Sequence, residues 1–171
     1  AKSQRARIDF TQRMNRRLLD QAPGDARMEG MIESMEIAFR MQSATPELVD
    51  IANESEATKK LYGIGEKTTD KNGRACLLAR RLSEAGVRFV QVYHGDGMNS
   101  TWDSHTNLRE NHGKLAPQVD QPMAALVKDL KQRGLLDDTI VVWGTEFGRT
   151  PGAERANGRD HHPYGFSIWA A

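Results

Sequence analysis

The stretch DDTIVVWGTEFGRTPGAERANGRDHHPYGFSIWAA, residues 137–171, decides how the chain is read. Its apolar run Thr139-Ile140-Val141-Val142-Trp143 halts at Gly144. An uninterrupted run of β-branched and aromatic residues fits a strand covered on both faces. Next come Thr145-Glu146 and Gly148-Arg149-Thr150-Pro151, then a polar loop that leads to Arg159-Asp160-His161-His162. A second apolar run, residues 166–171, closes the stretch and reads as another strand. A buried strand that opens into acids, histidines and glycines is how open α/β sheets present chemistry. Ligands sit beyond the carboxyl ends of such strands.

Moving outward, residues 70–85 carry helical spacing, with Ala75, Leu78, Leu82 and Ala85 on one face and Arg80 and Arg81 facing elsewhere. Gly86 supplies a left-handed stop. Residues 87–93, Val-Arg-Phe-Val-Gln-Val-Tyr, predict a further strand, ending in the loop His94-Gly95-Asp96-Gly97. Between these strands Pro117 is expected to interrupt one helical stretch, and Asp120 to cap another. The second of these has Met123, Leu126, Val127 and Leu130 as its buried stripe. Residues 8–62 read as helical and chemically quiet. They show a break at Ala22-Pro23-Gly24, a cap at Asp25, a Met-rich face from Met28 to Phe39, and a fresh helix start at Thr45-Pro46. Only three strands are visible, against about five or six in a typical sheet. The expectation is one α/β domain over residues 1–171, with a helical part 8–62 and a sheet-forming part 70–171. It is read as incomplete at both ends, a piece of a longer protein.

Composition excludes several classes. Basic and acidic residues number 24 and 23, a net charge of +1, so nothing electrostatic argues for nucleic acid or an anionic membrane as partner. No apolar stretch reaches the roughly 18 to 20 residues of a spanning helix. The single cysteine, Cys76, excludes an intrachain disulfide and a cysteine-rich zinc site. Its helical setting beside Leu77 and Leu78 predicts a buried, inert thiol.

Four of the five histidines, His94, His105, His161 and His162, fall in loops after or beside the expected strands. Asp103-x-His105 can turn a carboxylate and an imidazole toward one metal ion, or can simply be solvated. Glu146 follows a strand end directly, as a ligand, an acid–base group or a cap. Arg149 beside it can fork onto a phosphate or sulfate, or pair with Glu146. In Asp160-His161-His162, adjacent side chains point opposite ways, so one imidazole ligates while the other supports it, or both are solvated. Imidazoles and carboxylates from three loops suit zinc, manganese or iron better than magnesium or calcium.

The blocks LLARRLSEAGVRFVQVY, WDSHTN, DQPMAALVKDLKQRGLLDDTIVVWGTEFGRTP and GRDHHPYGFSIWAA, with AFRMQ and LYG upstream, resemble the DUF1501 family over nearly the whole chain. That resemblance places the chain with the alkaline phosphatase-like superfamily, which includes sulfatases and cofactor-independent phosphoglycerate mutases. It implies a three-layer α/β/α sandwich with a mostly parallel sheet, and a metal-dependent hydrolase of phosphate or sulfate esters, small-molecule or polysaccharide. The order of metal-binding residues it implies is matched by Asp103 and His105, then Glu146, then His161 or His162. With the donor chemistry above, the expectation is zinc or manganese as cofactor, Asp103, His105, Glu146, Asp160, His161 and His162 as metal ligands, and Arg149 and His94 on substrate. Glu146-Phe147 stands where relatives have Asp-His. The resemblance puts the nucleophile on a strand upstream of Ile8, and implies export from a bacterial cell. Two classes of function follow: an ester hydrolase, or a non-catalytic binding or structural relative that kept the fold. Oligomeric state stays open.

Overall fold

The structure, a computed structural model, describes residues 2–21, 26–95 and 102–171. The Ala22–Gly24 break, the Asp25 cap and residues 96–101 lie outside them. The described residues form two compact units, residues 1–49 and 50–171.

The first unit is a pair of helices, α1 (Lys2–Gln21) and α2 (Ala26–Val49). They are joined by Arg5 to Glu36 at 3.2 Å and by the Gln12 amide donating to the Ile32 carbonyl at 2.8 Å. Among the described side chains of α1, Gln12 is buried, while Met14 and Leu18 stay exposed. Pro46 does not begin a new helix. It lies inside α2, which runs on to Val49.

The second unit is built on α3 (Glu56–Leu61), α4 (Asp70–Glu84) and α5 (Leu108–Gln132). Ser55 caps α3 by accepting from the Thr58 N–H. Tyr62, Cys76, Leu77 and Ala125 form the core, with Ile51, Leu61, Ile64 and Leu126 packed against it. Gly73 belongs here for a steric reason: a Cβ at that position would collide with the Tyr62 carbonyl, so only glycine lets α4 approach this closely. The buried face of α4 is rotated from the expected one. Asn72, Gly73, Cys76, Leu77 and Arg80 are buried, whereas Ala75, Leu78 and Leu82 are half-buried. Arg80 is 2% exposed and meets Glu54 at 2.7 Å, Glu84 at 2.5 Å and Asp129 at 3.0 Å. Its Nε is near the Asp129 carboxylate without the alignment of a hydrogen bond. A buried guanidinium is tolerated because carboxylates converge on it. The Tyr62 hydroxyl donates to Asp129 at 3.1 Å, and burial beside that carboxylate pushes its pKa well up. Neither Pro117 nor Asp120 divides α5, which passes through both Pro117 and Pro122 and ends at Gln132, just before Gly134 at φ +69°.

The expected parallel α/β/α sandwich is not formed. After a 3-10 turn, Leu136–Asp138, come four strands of two residues each: β1 (Val142–Trp143), β2 (Gly148–Arg149), β3 (His161–His162) and β4 (Trp169–Ala170). They make two separate antiparallel pairs, β1 with β4 and β2 with β3. Residues 87–93 pair with nothing as a strand among the described residues, and Phe89 and Tyr93 are exposed. The run 139–143 is not covered on both faces either, since Ile140 is 81% exposed. An apolar run becomes a sheet strand only when another strand takes up its N–H and C=O groups. The described chain offers these runs one short antiparallel partner at most.

Candidate metal centre

The site is assembled by β2, β3 and the segments before and after them. Residues 102–107 lead into α5, and their last member, Asn107, is in the left-handed region at φ 53°. Against this segment lies the turn Glu154 to Gly158, closed by mutual backbone hydrogen bonds between its ends at 3.0 and 3.1 Å. Three contacts fasten the turn down. The Arg159 N–H donates to the Ser104 carbonyl at 3.0 Å, and the Leu108 N–H to the Asn157 carbonyl at 3.3 Å. The Asn157 side chain accepts from the Asn107 N–H at 2.8 Å. Gly158 sits against the His105 carbonyl, with no room for a Cβ. His105 is thereby placed beside the strand pair that carries Arg149 and His161, which are registered opposite one another.

Three side chains converge. Asp103 Oδ1 lies 3.0 Å from His105 Nε2 and 3.2 Å from His161 Nε2, and the two imidazole nitrogens are 3.2 Å apart. Around a tetrahedral zinc with bonds of about 2.0 to 2.1 Å, neighbouring ligand atoms are separated by about 3.3 Å. The observed triangle therefore has the size of one face of such a shell. Three lone-pair atoms this close repel unless protons or a cation lie among them. The donor set fits a divalent transition metal: Asp103, His105 and His161 would hold it.

Arg149 Nη1 also reaches Asp103 Oδ1, at 2.5 Å. Partial burial pushes the Asp103 carboxyl up, but hydrogen bonds from Arg149 and His161 outweigh it and hold the group below the usual carboxylate range. The Glu154 carboxylate, 2.5 Å from His105 Nδ1, is the main reason that this imidazole is raised above its ordinary pKa, with Asp103 and Asp160 adding to it. Phe147 braces the group: its ring centroid is 4.4 Å from that of His161 and 5.5 Å from the Arg149 guanidinium carbon.

Of the residues expected at a site, Asp103, His105, His161 and Arg149 are brought together. Asp160 stands at the edge, with Oδ1 4.0 Å from His105 Nδ1 and already accepting the His161 N–H at 2.7 Å. Glu146 is outside the triangle and largely exposed, 3.9 Å from Arg149. His162 turns away and packs edge-on near Tyr164, so of the two adjacent imidazoles it is His161 that faces the group. His94 takes the indole N–H of Trp102 at 2.7 Å and lies 3.2 Å from the Gln118 amide oxygen, a separate arrangement. Glu154 and Phe147 were not among the expected site residues. Glu154 lies in a stretch, AERANG, whose composition reads as plain polar loop. Nothing in it signals that the turn folds back onto His105.

The family model described as "Protein of unknown function (DUF1501)" matches residues 1–171. No curated protein and no solved structure matches the chain. With the match extending over every residue, the chain belongs to the DUF1501 family.

Proposed function

We propose that this chain holds one divalent transition-metal ion, zinc or manganese, and acts there as a hydrolase of phosphate or sulfate esters. The observation that carries the reading is the triangle of Asp103 Oδ1, His105 Nε2 and His161 Nε2, with edges of 3.0, 3.2 and 3.2 Å. Arg149 supports the choice of an anionic substrate, being a fixed cation against the same carboxylate. The substrate class itself comes from the family's resemblance to sulfatases and phosphatases.

A divalent ion bound there would supply Lewis acidity, polarising an ester oxygen and acidifying water. The chain's own residues divide the remaining work. Asp103 supplies the anionic ligand and His105 and His161 the neutral ones. With Asp103, His105 and His161 holding an ion, the Arg149 guanidinium, now paired with Asp103, would be freed to fork onto the non-bridging oxygens of the ester and to offset charge gathering on them. The exposed edge of His161 leaves that side open to solvent and to a large ester.

A binding-only reading has one observation in its favour. Glu146, the acid that follows the strand end, stands away from the triangle, so the acid expected to serve as ligand or acid–base group is not at it. Metal analysis and turnover separate the two readings. Purified protein is expected to carry one zinc or manganese per chain and to hydrolyse aryl phosphate or aryl sulfate esters. His161→Ala should weaken metal binding by more than about 100-fold, beyond the loss typical of a supporting residue. One ion per chain without turnover of any ester selects the binding-only reading. Absence of a stoichiometric ion overturns both.

A further inference from the structure

We infer that Glu154 is the positioning residue of this centre: it holds the proton of His105 on Nδ1 and so turns the Nε2 lone pair toward Asp103 and His161. The inference rests on the metal reading above and deepens it.

His105, Glu154 and Asp160 also place three potential ligand atoms close together, so the alternative is a second ion in that group. Distances decide between the two. Ligand atoms sharing a tetrahedral ion stand about 3.3 Å apart. Glu154 Oε2 is 2.5 Å from His105 Nδ1, too close for an ion to lie between them, and Asp160 Oδ1 is 4.0 Å from the same nitrogen, too far. A nitrogen and a carboxylate oxygen this close, inside even the roughly 2.7 to 2.9 Å of a charge-assisted N–H···O bond, leave room for a shared proton and nothing larger. The proton therefore lies between Nδ1 and the carboxylate, and Nε2 is the free donor. Nε2 is the atom that enters the triangle with Asp103 and His161.

The carboxylate is also held in place before any ion arrives. Glu154 opens the turn that its backbone closes onto Gly158. Gly158 abuts the His105 carbonyl, and Asn157 exchanges hydrogen bonds with Asn107 at 2.8 and 3.0 Å. The turn thus fixes the acid relative to the backbone of the imidazole that it orients. A partner fixed in this way selects the tautomer and ring angle of a ligating histidine and raises its basicity.

The test uses the full chain and four proteins: the parent, Glu154→Ala, Glu154→Gln and Glu154→Asp. Nitrogen-15 correlation spectra of the metal-free proteins at alkaline pH report which nitrogen of His105 carries the proton. Competition against a chromophoric chelator gives the zinc dissociation constant, and thermal melts check folding. The parent is expected to show the Nδ1–H tautomer. Glu154→Ala should lose that preference and bind zinc about 10- to 100-fold more weakly, still with one ion per chain. Glu154→Gln, whose amide oxygen still accepts the Nδ1 proton, should keep the tautomer and recover part of the affinity. A Nε2–H tautomer in the parent overturns the inference, as does equal zinc affinity in Glu154→Ala. Two ions in the parent and one in Glu154→Ala make Glu154 a ligand and overturn it as well. No zinc binding in a parent that shows the Nδ1–H tautomer removes the metal reading and leaves the orienting hydrogen bond supported. Should Glu154→Ala not fold, Glu154→Asp, whose shorter side chain pulls the oxygen back, carries the same comparison.

Discussion

Single side chains in the second unit carry more electrostatic consequence than their positions in the sequence suggest. Arg80 is held in the interior by Glu54, Glu84 and Asp129, and Glu54 also accepts from Arg81 at 2.5 Å. Burial pushes the Glu54 carboxyl up, yet the hydrogen bonds and charges of Arg81 and Arg80 outweigh it, leaving the group below the ordinary glutamate range. The sign follows from linkage: a depressed carboxylate contributes stability that is complete above its unfolded pKa of about 4.3. That contribution is lost as pH falls through the lower folded value. Glu54→Gln is therefore expected to cost on the order of 2 kcal/mol at pH 7, since it strips a charged partner from a buried guanidinium. Thermal melts of parent and variant should converge as pH drops below about 4. Equal differences at pH 7 and pH 3 would show that Glu54 is not the titrating partner. Cys76 is quiet by contrast: burial pushes its thiol up to about 11, so it is neither a nucleophile nor a ligand at neutral pH.

At the scale of elements, the turn from Glu154 to Gly158 positions the candidate centre. Its contact with residues 104–108 is steric as well as polar, because Gly158 leaves no room for a side chain against His105. Gly158→Ala must push the turn away from His105. It is expected to destabilise the second unit by about 1 to 3 kcal/mol, as overpacking does, and to weaken zinc binding with it. Gly152→Ala is the internal control, since a Cβ there meets open space and should change neither quantity. Denaturant melts and chelator competition on the two variants check this, and a centre indifferent to Gly158→Ala would mean the turn does not position it. The two strand pairs are short and in part exposed, with β1 on the surface at Val142 and Trp143.

The whole molecule divides at Val49 and Asp50, and every residue of the candidate centre lies in the second unit. Residues 50–171 also contain a core of their own, Tyr62, Cys76, Leu77 and Ala125. A compact unit with its own core can fold alone. A shortened chain of residues 50–171 is expected to keep its helical circular dichroism and to bind zinc with the affinity of the full chain. Loss of both on removing residues 1–49 would show that the second unit depends on the first. Among the described residues no helix is long and apolar enough to cross a membrane.

Local pattern located α4 and the stops near Gly86 and Gly134, but it placed helix boundaries at Pro46, Pro117 and Asp120 that the folded chain runs through. The spacing of Ala75 to Ala85, the stop at Gly86 and the stop at Gly134 each depend on a few neighbouring residues, and α4 and the end of α5 fall where those signals lie. The residue types at the candidate centre were legible too: Asp103, His105 and His161 stood out by identity and loop setting as candidate ligands, each with a solvated alternative. Strands depend on a partner that can be anywhere in the chain, and so the apolar runs 87–93, 139–143 and 166–171 did not determine a sheet. Among the described residues, 87–93 pair with no strand, and the other two runs meet in one antiparallel pair of two residues each. Which way a side chain faces was equally beyond the sequence. Arg80 is buried because Glu54 and Asp129, distant in sequence, meet it together with Glu84 one turn along its own helix, and His161 rather than His162 faces Asp103 because β3 pairs with β2 in that register. Only the folded chain could bring Glu154 to His105, because a hydrogen bond across 49 residues depends on how the turn packs and not on the composition around it.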